Sequence, residues 1–225
     1  MKGKAGPVVF YQQNGQQVVR SSPSTIKQTE GMKRSSAHLA KASRLSSNFR
    51  QLLAPAIQGT ESKLKTHQLL CGIFNKWLHA RDKNPEDASL TPQLASCNFN
   101  RETRFSERFR CDVRFHPDNN TRLRLRIPPF MPAARIGAPI NTRFVLLHIR
   151  IVSCRLSDAE VIAHAGFSLE IALNTDNHPG VNKIFDIPLG PGLISIAAGA
   201  LVYYLADGSV EQRKEFMPSS VIYAG

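Results

Sequence analysis

Read for the spacing of apolar and polar side chains, the chain changes period twice. In VVFYQQNGQQVVRSS, Val8 to Ser22, two short runs flank Asn14-Gly15. An Asn-Gly pair between such runs predicts a two-residue type I′ hairpin, here with strands over 8–13 and 16–21. Tyr11 then faces Val18, and Phe10 faces Val19. Side chains alternate across a strand, so Val8, Phe10 and Val19 share one face while Val9, Tyr11 and Val18 share the other. Both faces are apolar. A lone two-stranded hairpin is marginal in water, so either the rest of the chain or another molecule must cover this one.

From Thr29 to Leu53 the period becomes helical: Met32, Leu39, Ala42, Leu45, Phe49, Leu52 and Leu53 form a stripe, and Pro55 ends it. At 100° per residue, Lys33, Arg34, Lys41 and Arg44 occupy a basic arc of about a quarter turn beside that stripe. A second helix is expected from Thr60, its N-cap, to Arg81, burying Leu64, Leu70, Ile73, Phe74, Trp77 and Leu78. The turn formers and charges of RDKNPEDASLTPQ then suggest a linker.

Beyond Leu94 the period is two. In ERFRCDVRF, Phe109, Cys111, Val113 and Phe115 alternate with Arg108, Arg110, Asp112 and Arg114. In TRLRLRI, Leu123, Leu125 and Ile127 alternate with Arg122, Arg124 and Arg126. Paired, these strands would send one face to the core and display six arginines on the other. Further strands are expected at 142–154, 165–173, 182–189, 199–206, 209–216 and 219–225. The fold class that follows is α+β: an N-terminal β-hairpin and two helices followed by a mostly antiparallel β-sandwich, immunoglobulin-like or jelly-roll in style. The expected divisions are a hairpin arm over 1–22, a basic helical region over 23–82, a linker over 83–93 and a sandwich domain over 94–225.

Charge sharpens this picture. The 225 residues carry a net charge of +12, distributed unevenly. Residues 1–65 hold eleven Lys and Arg against two Glu, residues 66–135 twelve against seven, and residues 136–225 six against eight. The excess therefore belongs to the first half and suits a polyanionic partner. Arginines fork to phosphates or carboxylates, so Lys33, Arg34, Lys41, Arg44, Arg108, Arg110, Arg114, Arg122, Arg124 and Arg126 are the candidate contacts. The bland reading of both basic faces is solvated surface.

Chemistry is sparse. No GxSxG, GxGxxG, Walker or HExxH motif occurs, and acids are few and scattered. His67 and Cys71 stand one helical turn apart, but two ligands do not make a metal site. The four cysteines, at 71, 97, 111 and 154, form no CxxC pair and are expected to be reduced and buried. No enzyme activity, metal or cofactor is expected. The apolar run near the start is too short for a signal-peptide core, and LISIAAGALVYYLA at 193–206 falls short of the roughly 20 residues that span a bilayer, so a cytoplasmic protein without a membrane partner is expected.

The segments GKAGPVVFYQQNGQQVVRSSP, SNFRQLL, RIPPFMPAARIGAPINTRFVLLHI and GALVYYLADGSVEQ together resemble a family of uncharacterised bacterial proteins of about this length. The proline-rich IPPFMPA…IGAP block is the most specific of them. The resemblance implies a bacterial cytoplasmic product with a shared architecture of hairpin, helices and β domain; it carries no site residues. The heavy arginine loading of 108–126 departs from that family's pattern.

Two functions remain. One is a self-assembling subunit of a filament, tube or shell, in which Val8, Val9, Phe10, Tyr11, Val18 and Val19 of the hairpin insert into a neighbouring copy by strand addition. The alternative is a sequence-nonspecific nucleic-acid-binding protein that uses the basic helix and the arginine-rich strands.

Overall fold

The Asn-Gly hairpin forms in the predicted register. In the computed structural model, which describes residues 3–5, 8–13, 15–21, 28–57, 63–84 and 89–225, a short strand β1 (Gly3–Ala5) is followed by β2 (Val8–Gln13) and β3 (Gln16–Ser21). Tyr11 pairs with Val18, Phe10 with Val19 and Gln13 with Gln16. Gly15 has φ +82°, the left-handed conformation that a type I′ turn demands at its second position; Asn14 lies outside the described residues. The sequence did not suggest β1, which pairs antiparallel with β2 and makes a three-stranded sheet, β1-β2-β3.

Helix α1 (Glu30–Leu52) matches the expected helix, and Thr29 Oγ1 accepts from the Met32 backbone N–H at its start. The predicted stripe is covered only toward its C-terminal end. Ala42, Leu45, Phe49 and Leu53 are fully buried, whereas Met32 and Leu39 remain about half exposed. After a 3-10 turn at Ala54–Ala56, helix α2 (Lys63–Lys83) buries Leu70, Phe74, Trp77 and Leu78. Its expected cap, Thr60, lies outside the described residues. Helix α3 (Thr91–Ala95) begins within the stretch expected to be a linker, and Leu90 and Leu94 are buried there.

The period-two region begins later than expected. Residues Phe105–Arg108 form one turn of helix, α4, so β4 (Arg114–Asn119) is a shorter partner for β5 (Arg122–Ile127) than ERFRCDVRF suggested. After a second helical turn, α5 (Pro132–Arg135), come β6 (Thr142–Arg155), β7 (Val161–Ala172), β8 (Val181–Phe185), β9 (Leu193–Leu205) and β10 (Ser219–Ala224). The strand expected over 209–216 is not formed. Val210 makes an isolated bridge to Tyr204, and Lys214–Phe216 is a 3-10 turn, because Glu211 turns back to accept from the backbone N–H groups of Gln212 and Arg213.

The fold is α+β with β-sandwich-like antiparallel sheets. One sheet runs β10-β9-β6-β7 and a second β4-β5-β8. Between them Val145, Leu147, Ile149 and Ile151 of β6 meet Leu123, Leu125, Ile127 and Phe185 in a shared apolar cluster. The other face of the larger sheet, at Val152, Cys154, Ile194 and Ile196, packs on Leu45, Phe49, Leu70, Phe74, Leu90 and Leu94. Covered on both sides, β6 loses its alternation and is continuously buried from Ile151 to Cys154. The helices and the sandwich therefore share a core, and the stretch 83–93 does not divide one from the other. Gly199 lets β9 fit under its neighbours, since a Cβ there would stand 3.1 Å from both Ile222 and the Phe105 ring. Two compact units emerge, Met1–Ala37 and His38–Gly225. Among the described residues no helix is long and apolar enough to cross a membrane.

Candidate assembly interface and charged faces

The hairpin presents the two apolar faces that alternation demands. Val8, Val9, Phe10, Tyr11 and Val18 are half-buried and Val19 is 54% exposed. No described residue before Ala42 is buried. Fully burying one exposed side chain of this size contributes about 1.5–3 kcal/mol, so these partly exposed ones retain a fraction of that each.

The ten candidate cations are not one surface. On α1, Lys33 Nζ bonds Glu30 at 2.8 Å, and Arg34 and Arg44 are exposed. Lys41 is half-buried; burial first, then the Arg81 charge, hold its amine below the ordinary value. The expected face of six arginines shrinks to four. Arg108 and Arg110 sit at and just beyond α4: Arg108 stacks its guanidinium 4.3 Å from the Phe216 ring centre, and Arg110 Nε donates to the Glu107 carbonyl. Arg114, Arg122, Arg124 and Arg126 do share a face of the β4-β5-β8 sheet, where Arg114 pairs with Arg126 and His116 with Arg124.

Cross-strand repulsion there is relieved by carboxylates that the sequence places far apart. Arg124 bonds Asp118 at 2.8 Å, Arg122 bonds Asp186 at 3.2 Å, and Arg114 pairs with Asp112. Arg126 makes no ion pair among the described residues. Three acids against four arginines leave little net field for a polyanion.

Strand edges tell more. Along β10 the edge is capped, since Phe99 N–H donates to Ser219 O and Val221 N–H to Cys97 O. Strand β4 carries Pro117 and a register shift, and β8 is five residues long with Lys183 in its middle. Edges of those kinds are protected. Strand β7 is different. It is twelve residues long, pairs only with β6 among the described residues, and contains no Lys, Arg or Pro. Ala163, Ala165, Phe167 and Leu169 lie half-buried on its sandwich side. On the opposite face of the sheet, Phe144 stacks on Tyr204 at 4.5 Å beside half-buried Leu146 and Val202.

The structure also brings together polar groups that linear spacing conceals. Ser46 Oγ donates to the His67 carbonyl at 2.9 Å and lies 3.0 Å from His67 Nδ1, linking α1 to α2; Ser46 is fully buried, so the pair acts as a helix tie. His148 Nδ1 lies 2.9 Å from Ser168 Oγ across β6 and β7. Burial first, then the Arg150 charge, lower the His148 pKa, and no carboxylate bonds that imidazole among the described residues. His38 Nε2 lies 3.1 Å from Asp82 Oδ2 with its ring edge-on to His79. Among the described residues no cluster of three or more His, Cys, Asp or Glu is placed to hold a metal. A groove of about 410 Å³ beside β10 includes Cys97, Asn98, Phe105, Phe109, Cys111 and Val113 in its lining. Burial pushes its thiols up, Cys97 to about 12 and Cys111 to about 11, so both stay protonated and poorly nucleophilic at neutral pH. Of the four cysteines, all free, Cys97 and Cys154 are buried while Cys71 and Cys111 are only half-buried, short of the full burial expected.

No protein-family model and no curated protein sequence matches the chain.

Proposed function

We propose that this protein is a structural subunit that assembles with copies of itself through its N-terminal hairpin. The observation that carries this reading is a ribbon with apolar side chains on both faces in a unit where no described residue is buried. A unit of residues 1–37 around a sheet of three, six and six residues is below the size of about 40 residues at which a domain usually builds a sufficient core unaided. Strand addition joins such a ribbon to a neighbour through backbone hydrogen bonds and apolar pockets for alternate side chains. The bacterial cytoplasmic setting implied by the family resemblance belongs to the same reading. The nucleic-acid alternative has less support, because the arginine face is largely neutralised by Asp112, Asp118 and Asp186.

Electron microscopy and light scattering of the full chain beside a variant lacking residues 1–22 test this. Regular particles are expected from the full chain only, with the shortened chain folded and monomeric. Particles that survive the deletion overturn the reading. Bound nucleic acid, seen as excess absorbance at 260 nm and retention on a polyanion column that collapses with salt, would favour the alternative.

A further inference from the structure

Independently of assembly, we infer that a notch beside β5 and β8 is a binding site for the phosphate group of a small phosphomonoester. The notch holds about 320 Å³, at the lower end of small-molecule sites, and Arg124, Arg126, Asn182, Pro128, Pro129 and Pro179 form most of its lining. Its charge, its hydrogen-bond donors and its walls converge on that ligand.

Charge comes first. In the sheet, Arg126 of β5 stands between Arg114 of β4 and Asn182 of β8. Like charges directly opposite one another repel. Arg114 is offset by Asp112 and Arg124 by Asp118, so the uncompensated cation of this group is Arg126, which makes no ion pair among the described residues. The same residue lines the notch, and no carboxylate does. A face too well neutralised to hold a polyanion thus keeps its spare positive charge at one concave spot.

The polar side chains of the lining act as donors. Arg124 Nη1 donates to Asn182 Oδ1 at 3.5 Å, which occupies the amide's acceptor and leaves its Nδ2 group free among the described residues. The Arg126 guanidinium adds a planar fork of N–H groups. A phosphate dianion offers these donors one more oxygen, and about one more charge, than a carboxylate.

The walls are preformed. Gly180 has φ +82°, and a Cβ on it would lie 2.3 Å from the Ile127 carbonyl oxygen, so glycine lets the approach to β8 close on Pro128. Phe130 and His178 exchange backbone hydrogen bonds of 3.0 and 2.8 Å, and the Gly180 N–H donates to His178 Nδ1 at 3.0 Å. The prolines are fixed in φ and carry no N–H, so they present apolar ring surface. A free phosphate ion leaves part of this volume empty; the body of an ester fills it against the proline rings.

Equilibrium dialysis of the full chain against phenyl phosphate at pH 8, where the ester is dianionic, tests this, with inorganic phosphate and benzoate as comparisons. Phenyl phosphate is expected to bind once per chain and more tightly than either. Arg126→Gln should weaken it about tenfold or more, with circular dichroism and melting temperature unchanged. Arg122→Gln is the control, on the same face but about 13 Å along β5. It should change binding less than about twofold at 0.1 M salt, where charges beyond about 10 Å are screened. Equal losses in the two variants would reduce the effect to general charge. Inorganic phosphate bound as tightly as the ester would leave the walls without a role, and benzoate bound as tightly would remove the preference for phosphate. Each of these results, or the absence of saturable uptake, overturns the assignment.

Discussion

At the scale of single residues, the structure separates side chains that hold the fold from side chains that serve its exterior. Phe10 is half-buried on a ribbon that contributes nothing to the core clusters. Phe10→Asp should leave the melting temperature within about 2 °C, as surface substitutions of about 0.5 kcal/mol do in a chain of this size, and should disrupt assembly; a marked loss of thermal stability would mean that the ring packs into the folded subunit. Glu211 shows the opposite behaviour. Hydrogen bonds from the Arg213 side chain, then from its backbone N–H, lower its pKa from 4.5 to about 2. A depressed carboxylate contributes stability that is present above the unfolded value and lost as pH falls through the folded one. The denaturant midpoint of Glu211→Gln should therefore lie below that of the parent protein at pH 6, and the two should converge as pH drops from 4.5 toward 2. A gap independent of pH would contradict the role of the charge.

At the scale of elements, what was legible followed side-chain period. The hairpin register, both long helices and most of the strands could be read because each repeats its pattern over several residues. The misread segments are those where two periods compete. Phe109, Cys111 and Val113 alternate like a strand, yet Phe105 and Phe109 are also four apart; both are buried, and Glu107 caps the Arg104 N–H, so a helical turn wins. Sequence alternation alone makes the arginine face look like a concentration of charge, because Asp112, Asp118 and Asp186 reach it only through tertiary pairing. Replacing those three with Asn should raise the salt needed to elute the protein from heparin, since only then are the arginines unscreened; unchanged elution would contradict that ion pairing masks this face. That β7 ends its sheet among the described residues is not readable for a similar reason, since sheet order is not written in local pattern. Shared packing has its own consequence. Phe49 stacks on Phe74 at 5.6 Å inside a cluster that also holds Val152 and Ile196. Phe49→Ala should cost about 3–5 kcal/mol and shift the unfolding of helix and sheet together. Separate transitions in far- and near-ultraviolet dichroism would show that the helices and sandwich unfold independently.

At the scale of the whole molecule, a unit with a filled core, residues 38–225, is joined in sequence to a small basic unit in which no described residue is buried. On the proposed reading, the hairpin of one copy inserts into a neighbouring copy, which is a head-to-tail contact. Such heterologous contacts close into rings or propagate as filaments. Sedimentation equilibrium over a range of concentrations tests this most directly. Self-assembly requires masses that rise with concentration as multiples of the 25.0 kDa chain; a fixed mass of 25.0 kDa at every concentration would rule it out.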